Sequence, residues 1–286
     1  MGETRTMLRV ADASQKRAGH SEHSQHSIHG IPKWTGHERQ KESERNSMKL
    51  LLTSAGLTNK SIRVALEDRL GKPIASSKAV YIPTAMYGHP GGSSFVWKGL
   101  REQGELGWQE LGVLELTTLP SLPEQYWLPP LEAADVIWVS GGNAWYLSYW
   151  MQASGFAQRV PKLLSKAVYV GMSAGSMMVT HSLHVNLEEL KATGRYHDDE
   201  YNTVAPPNAG SDKTLGLVDF VIRPHLNLVE YFPTITLSYL EKAAARVAMP
   251  MYAIDDQTAI QVVDGNVGVI SEGEWKLFEK EQRDKQ

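Results

Sequence analysis

Six apolar runs, at 49–53, 78–82, 111–116, 135–139, 167–171 and 218–222, constrain what this chain can fold into more than any other feature of it. Runs such as "KAVYI", "DVIWV" and "AVYVG" lack the polar alternation of a half-exposed strand. Strands apolar on both sides must be covered on both sides. The cover is at hand, because 58–70, 94–103, 144–165 and 229–247 carry apolar residues at helical spacing. The pattern predicts an α/β fold, a three-layer αβα sandwich with a mostly parallel sheet. The last stretch, "TAIQVVDGNVGVISEGEWKLF", reads instead as short strands joined by turns at Asp264-Gly265-Asn266 and Glu272-Gly273. It predicts an antiparallel C-terminal hairpin.

Residues 1–47 do not share this pattern. They are polar, without apolar periodicity, and hold His20, His23, His26, His29 and His37. A His-rich tract can bind metal, but this composition reads as a disordered N-terminal extension. Met48 begins the first convincing strand, so a single domain is expected over 48–286. The chain has no cysteine, which excludes disulfides, thiolate metal sites and a Cys nucleophile. A net charge of −3 with no Lys/Arg cluster gives no footprint for nucleic acid. No apolar run approaches the roughly 18 residues that span a bilayer, and no signal-peptide core is evident. The expectation is a cytoplasmic protein without a membrane partner. Nothing in the sequence speaks to its oligomeric state.

In an open parallel sheet, sites form beyond the carboxyl ends of the strands. Those ends read "TSAG" (53–56), "PTAMYGHPGG" (83–92), "SGGN" (140–143), "GMSAG" (171–175) and "RPHLN" (223–227). Four are rich in Gly or small residues, which let backbone amides approach a ligand, and the fifth brings a histidine. Gly171-x-Ser173-x-Gly175 fits the nucleophile-elbow pattern. A serine there needs a base to become a nucleophile, and the Ala174 amide at a helix N-terminus would face a developing oxyanion. The competing reading makes the glycines a packing device and Ser173 an N-cap. His225, held by Pro224 at a strand end, suits a general base. His181, His184 and His197 compete with it, although His181 would lie two helical turns from Ser173. The Gly141-Gly142-Asn143 turn could complete an oxyanion hole or simply cap the next helix with Asn143.

"VSGGNAWYLSYW", "VYVGMSAGSMM" and "VIRPHLN", in this order and spacing, resemble peptidase family S51, which includes dipeptidase E (aspartyl dipeptidase) and, more distantly, cyanophycinase. The resemblance covers about residues 48–278. It implies a class I glutamine-amidotransferase-like fold with serine in place of the amidotransferase cysteine, and a serine-type peptidase acting on small peptides. It implies Ser173 as nucleophile, His225 as base and the Gly142 and Ala174 amides at the oxyanion, with no metal or cofactor. For the triad acid, a position some fifteen residues past the serine implies Glu188. Glu189, Asp198, Asp199 and the "IDDQTA" carboxylates Asp255 and Asp256 stand as alternatives. The arginine-bearing segment by which aspartyl dipeptidases recognise an N-terminal aspartate is not recognisable in "LNLVEYFPTITLSYLEKAAARVA". Arg246 there reads as a helix-face residue, and Arg223 or Arg195 could bind a carboxylate instead. Loops 84–95 and 186–212 are expected to narrow the site. Two rivals stay open: an α/β-hydrolase-type esterase, which shares the order Ser…acid…His, and a non-catalytic binding protein on the same scaffold.

Overall fold

The computed structural model describes residues 48–181, 183, 193–198, 203–205 and 210–280. Its centre is a seven-stranded sheet. In chain order the strands of this sheet are β1 (Lys49–Thr53), β2 (Lys78–Ile82), β3 (Glu110–Val113), β4 (Val136–Val139) and β5 (Val168–Met172), followed late in the chain by β10 (Thr258–Val263) and β11 (Asn266–Ser271). They lie in the order β11-β10-β1-β5-β4-β2-β3. All pairs from β1 to β3 are parallel, whereas β10 runs antiparallel to β1 and to β11. The expected α/β sandwich and C-terminal hairpin are therefore present. The hairpin turn uses Asp264 and Gly265, both at positive φ (50° and 77°), as a two-residue turn matched to strand twist requires.

Covering both faces explains the continuous apolar strands. Leu50, Leu52, Ile82, Val139 and Tyr169 pack on one side. Leu51, Tyr81, Trp138, Val168 and Val170 pack on the other. On the second side lies α1 (Lys60–Leu70), burying Ile62 and Leu66, capped by the Asn59 side chain and ended by left-handed Gly71. The short α2 (Thr84–Tyr87) and α3 (Gly92–Glu105) follow β2, and α4 (Leu128–Ala133) precedes β4. On the first side lie α5 (Ala144–Ala153) and α6 (Phe156–Leu163). These two were expected as one helix over 144–165, but Gly155 at φ 77° breaks it. After β5 comes α7 (Ala174–Met177), a single turn.

Two short strands, β6 (His197–Asp198) and β7 (Thr203–Val204), pair with each other. The run at 218–222 departs from expectation. It forms β8 (Val221–Arg223), which joins β9 (Met251–Ile254) and β12 (Trp275–Phe278) in a separate three-stranded sheet. Helix α8 (Leu237–Arg246), capped by Thr236, closes that sheet with Leu240 and Ala244 against Val221, Met251 and Ala253. It starts later than the periodicity from 229 suggested, because Pro233 falls inside that stretch and 224–236 form turns. Among the described residues no helix is long and apolar enough to cross a membrane.

Candidate active site

Neighbouring strands β1, β5 and β4 send "TSAG", "GMSAG" and "SGGN" to one edge of the large sheet. Ser173 occupies the middle turn with φ 50° and ψ −115°, a backbone region that non-glycine residues rarely visit. Holding it there costs about 1–3 kcal/mol, which the surroundings must offset. Its amide donates to the Thr53 carbonyl (3.0 Å), and its carbonyl accepts from the Ser176 amide (2.8 Å). The Ser176 hydroxyl donates to the same Thr53 carbonyl (2.7 Å). Gly175 permits the tight approach, since a Cβ there would meet the Val139 carbonyl oxygen at 2.1 Å. The packing role for the motif glycines thus holds alongside any chemical role for the serine.

Ser173 does not cap α7 with its side chain. Its Oγ lies instead 3.0 Å from His225 Nε2. His225 follows β8 at φ 63°, nearly buried, with its ring stacked on Phe232 at 4.2 Å between centroids. The Leu226 amide donates to the Ile254 carbonyl (3.0 Å), tying this loop to the end of β9. There Asp256 presents Oδ1 to His225 Nδ1 at 2.9 Å. The Ser54 hydroxyl, at the end of β1, donates to the same Oδ1 (2.5 Å) and accepts from the His225 backbone amide (2.9 Å). Burial opposes the ionisation of Asp256, but the hydrogen bond and charge of His225, with Ser54, outweigh it and hold the carboxyl below its usual value.

The two adjacent aspartates do different things. Asp255 accepts from the Gln257 amide (3.0 Å), the Thr258 hydroxyl (2.7 Å) and the Glu274 amide (2.6 Å), so its carboxylate builds the turn. Asp256 is left to face the histidine. Glu188, Glu189, Asp199 and His184 lie outside the described residues. Asp198 belongs to β6, and most of the 186–212 loop is likewise not described. The carboxylate on His225 is thus Asp256, one of the alternatives, at a distance along the chain that spacing from Ser173 did not suggest. His181 sits beyond the one-turn α7 and pairs with Asp219 (2.8 Å), and the His197 carbonyl accepts from Trp145 Nε1 (2.7 Å).

On the other flank of Ser173, the "SGGN" turn presses close: a Cβ on Gly141 would stand 2.9 Å from Ser173 Cβ. Gly142 has φ 130°, and a Cβ there would strike the Ala85 carbonyl carbon at 2.3 Å, so only glycine fits. Asn143 caps α5 by accepting from the Tyr146 amide (2.9 Å). Among the described residues neither the Gly142 nor the Ala174 amide has a hydrogen-bond partner. Capping and free amides coexist in one turn, as the two readings of "SGGN" allowed.

Ser173 and His225 line a cavity of about 210 Å³. Another wall is one face of α3, where Phe95, Lys98, Gly99 and Glu102 recur at helical spacing, together with Met86 of α2 and His89 of the turn between the two helices. Residues 84–95, expected as a loop, are largely α2 and the start of α3, and Met86, His89 and Phe95 among them line the cavity. Lys98 and Glu102 stand 3.9 Å apart, a weak exposed pair with charge available to a ligand. His89, Lys98 and Glu102 escaped sequence reasoning because they sit on a loop tip and an exposed helix face, without motif. None of the three arginines considered lines the cavity: Arg223 lies over the Tyr239 ring, Arg195 is exposed in a loop, and Arg246 ends α8. Among the described residues no group of three or more His, Asp or Glu side chains is placed to hold a metal.

An elbow serine, an imidazole and a carboxylate in hydrogen-bonded series beneath a small cavity form the arrangement that lets imidazole take a hydroxyl proton. The sequence model of peptidase family S51 matches residues 50–270, and the chain belongs to that family. It is thereby a peptidase by descent. Two solved structures share the fold. One is a candidate peptidase E protein from Listeria monocytogenes EGD-e, 21% identical with a TM-score of 0.57, covering 79% of this chain and 99% of that one. The other is a peptidase from an acI-B1 Actinobacterium, 20% identical with a TM-score of 0.56, covering 82% of this chain and 91% of that one. No curated protein sequence matches the chain significantly.

Proposed function

We propose that this protein is a serine-type peptidase that hydrolyses small peptides through Ser173, His225 and Asp256, with Asp256 in the place that spacing had given to Glu188. The observation that carries the reading is the unbroken series Ser173 Oγ, His225 Nε2, His225 Nδ1 and Asp256 Oδ1, at 3.0 and 2.9 Å. Ser173 Oγ attacks the scissile carbonyl carbon while its proton passes to His225 Nε2. The Gly142 and Ala174 amides donate to the resulting oxyanion. Collapse breaks the C–N bond, and His225 returns the proton to the departing amine. A water then adds to the acyl ester, His225 takes its proton, and Ser173 is released as the alcohol. Asp256 holds the imidazole in orientation and stabilises it when charged.

Size supports a short substrate. The cavity, about 210 Å³, is smaller than the roughly 300–1,000 Å³ of sites for drug-sized ligands. Its wall carries one cation and one anion, Lys98 and Glu102, which suit the carboxylate and ammonium of a short zwitterionic peptide. Hydrolysis of a dipeptide library spanning acidic, basic and apolar N-terminal residues tests this, alongside labelling by a fluorophosphonate. Turnover of dipeptides and labelling of wild type but not of Ser173→Ala are expected. Equal labelling of Ser173→Ala defeats the proposal, and cleavage of p-nitrophenyl esters without any peptide turnover turns it toward an esterase.

A further inference from the structure

We propose that Ser54 is a positioning residue of this site, one hydroxyl that locks His225 to Asp256 and sets which ring nitrogen carries the proton. The inference rests on the reading of Ser173 as nucleophile and His225 as base.

A hydroxyl has one proton to give and two lone pairs to offer. Ser54, fully buried at the end of β1, has a use for each. It donates to Asp256 Oδ1 at 2.5 Å and accepts from the His225 backbone amide at 2.9 Å, and its oxygen lies 3.1 Å from His225 Nδ1. Asp256 is ionised and accepts only, so the single Ser54 proton has one destination. Nδ1 then faces two oxygens, Asp256 Oδ1 and Ser54 Oγ, with no donor left to serve it. It must bring its own proton. With the proton on Nδ1, Nε2 is bare toward Ser173 Oγ, the one tautomer that can accept the serine proton. An aspartate alone would favour this tautomer, and Ser54 removes the competing one.

The same hydroxyl supports the backbone. His225 sits at φ 63°, an unfavourable region for a histidine, and its amide would be buried without the Ser54 acceptor. Ser54 and Asp256 are 202 residues apart in sequence, and Ser54 and His225 are 171 apart. The contact therefore joins the end of a central strand of the large sheet to two loops of the small one. No local motif explains it.

The experiment compares Ser54→Ala and Ser54→Thr with wild type by steady-state hydrolysis of the best dipeptide and by thermal melting, with Ser173→Ala alongside. Losing one buried, charge-assisted hydrogen bond should lower kcat by about tenfold to hundredfold in Ser54→Ala, with KM within about twofold and the protein folded at assay temperature. Ser54→Thr, which keeps the hydroxyl, should recover most of that loss. A purely structural serine would lower the melting temperature and leave kcat of the folded protein alone. Ser54→Ala with kcat within about twofold of wild type, or a folded Ser54→Thr as impaired as Ser54→Ala, overturns the inference. If Ser173→Ala retains turnover, the nucleophile reading fails first. An inactive Ser173→Ala beside an unimpaired Ser54→Ala breaks the Ser54 inference alone.

Discussion

The large and the small sheet divide the candidate site between them. The large one carries Ser173 on a strained backbone, its amide tied to Thr53 at the end of β1 and its carbonyl to Ser176 in α7, with the end of β4 pressed close. The small one carries His225 on a loop after a three-residue strand, tied down by long-range contacts to Ser54 and the end of β9. The difference separates two kinds of precision. A reacting group held by a packed, parallel framework is fixed by geometry close in space and pattern. A proton-handling group on an edge sheet needs side-chain hydrogen bonds from elsewhere to hold it.

The sharpest break of this comparison is at the serine. Ser173→Ala should lower kcat by about 10⁴–10⁶-fold, leaving what binding and the oxyanion amides supply, as measured by steady-state hydrolysis. On the small-sheet side, Asp256→Asn should cost about 10⁴-fold in kcat. Its neighbour should behave oppositely: Asp255→Ala should lower the melting temperature by several degrees, for a loss of about 1–3 kcal/mol in turn hydrogen bonds, with kcat nearly kept. Were the two aspartates to exchange these outcomes, the assignment of Asp256 would be wrong. Back on the large sheet, Gly142→Ala would push the turn off Ala85 and should lower kcat about 100-fold while fluorophosphonate labelling persists. At the cavity wall, Lys98→Glu should shift kcat/KM by about tenfold away from peptides with an acidic residue, read from the dipeptide library. The smallest effect is in stability. Asp256 is held below its usual value, so its ionised form stabilises the fold above about pH 4 and that contribution is lost as pH falls through the folded value. The melting-temperature advantage of wild type over Asp256→Asn should thus be full at about pH 6 and shrink as pH falls below about 4.

The same division marks what could be read from the sequence. The parallel core was legible because burial on both faces writes itself as continuous apolar runs, "KLLLT", "KAVYI" and "VIWV". Ser173 and the "SGGN" turn were legible because close backbone approach demands glycine at fixed spacing. The small sheet was not: "VDFVI" looks like one more core strand, and nothing in it says that it pairs with Met251–Ile254 rather than with β5. For a carboxylate beside His225, the sequence pointed first to Glu188, which lies outside the described residues, whereas Asp256 is the one that meets the imidazole. Acceptance of a hydrogen bond from His225 is a property of three-dimensional placement, and of "IDDQTA" only one carboxylate is free to meet it because the other is spent on the turn. Ser54 stands in "TSAG" as one small residue of a strand end, and its contacts with His225 and Asp256 arise only once β1 lies beside the loops that carry them.

The sequence separation of 202 between Ser54 and Asp256 has a consequence in time. A ribosome delivers β1 well before β10, the strand that pairs with it. If Ser173, His225 and Asp256 act as proposed, His225 gains its carboxylate and its settled tautomer only after Asp256 has been made and β10 has paired with β1. On the proposed reading, a growing polypeptide, itself a peptide among peptides, would stay inert until the stretch carrying Asp256 has been made and docked.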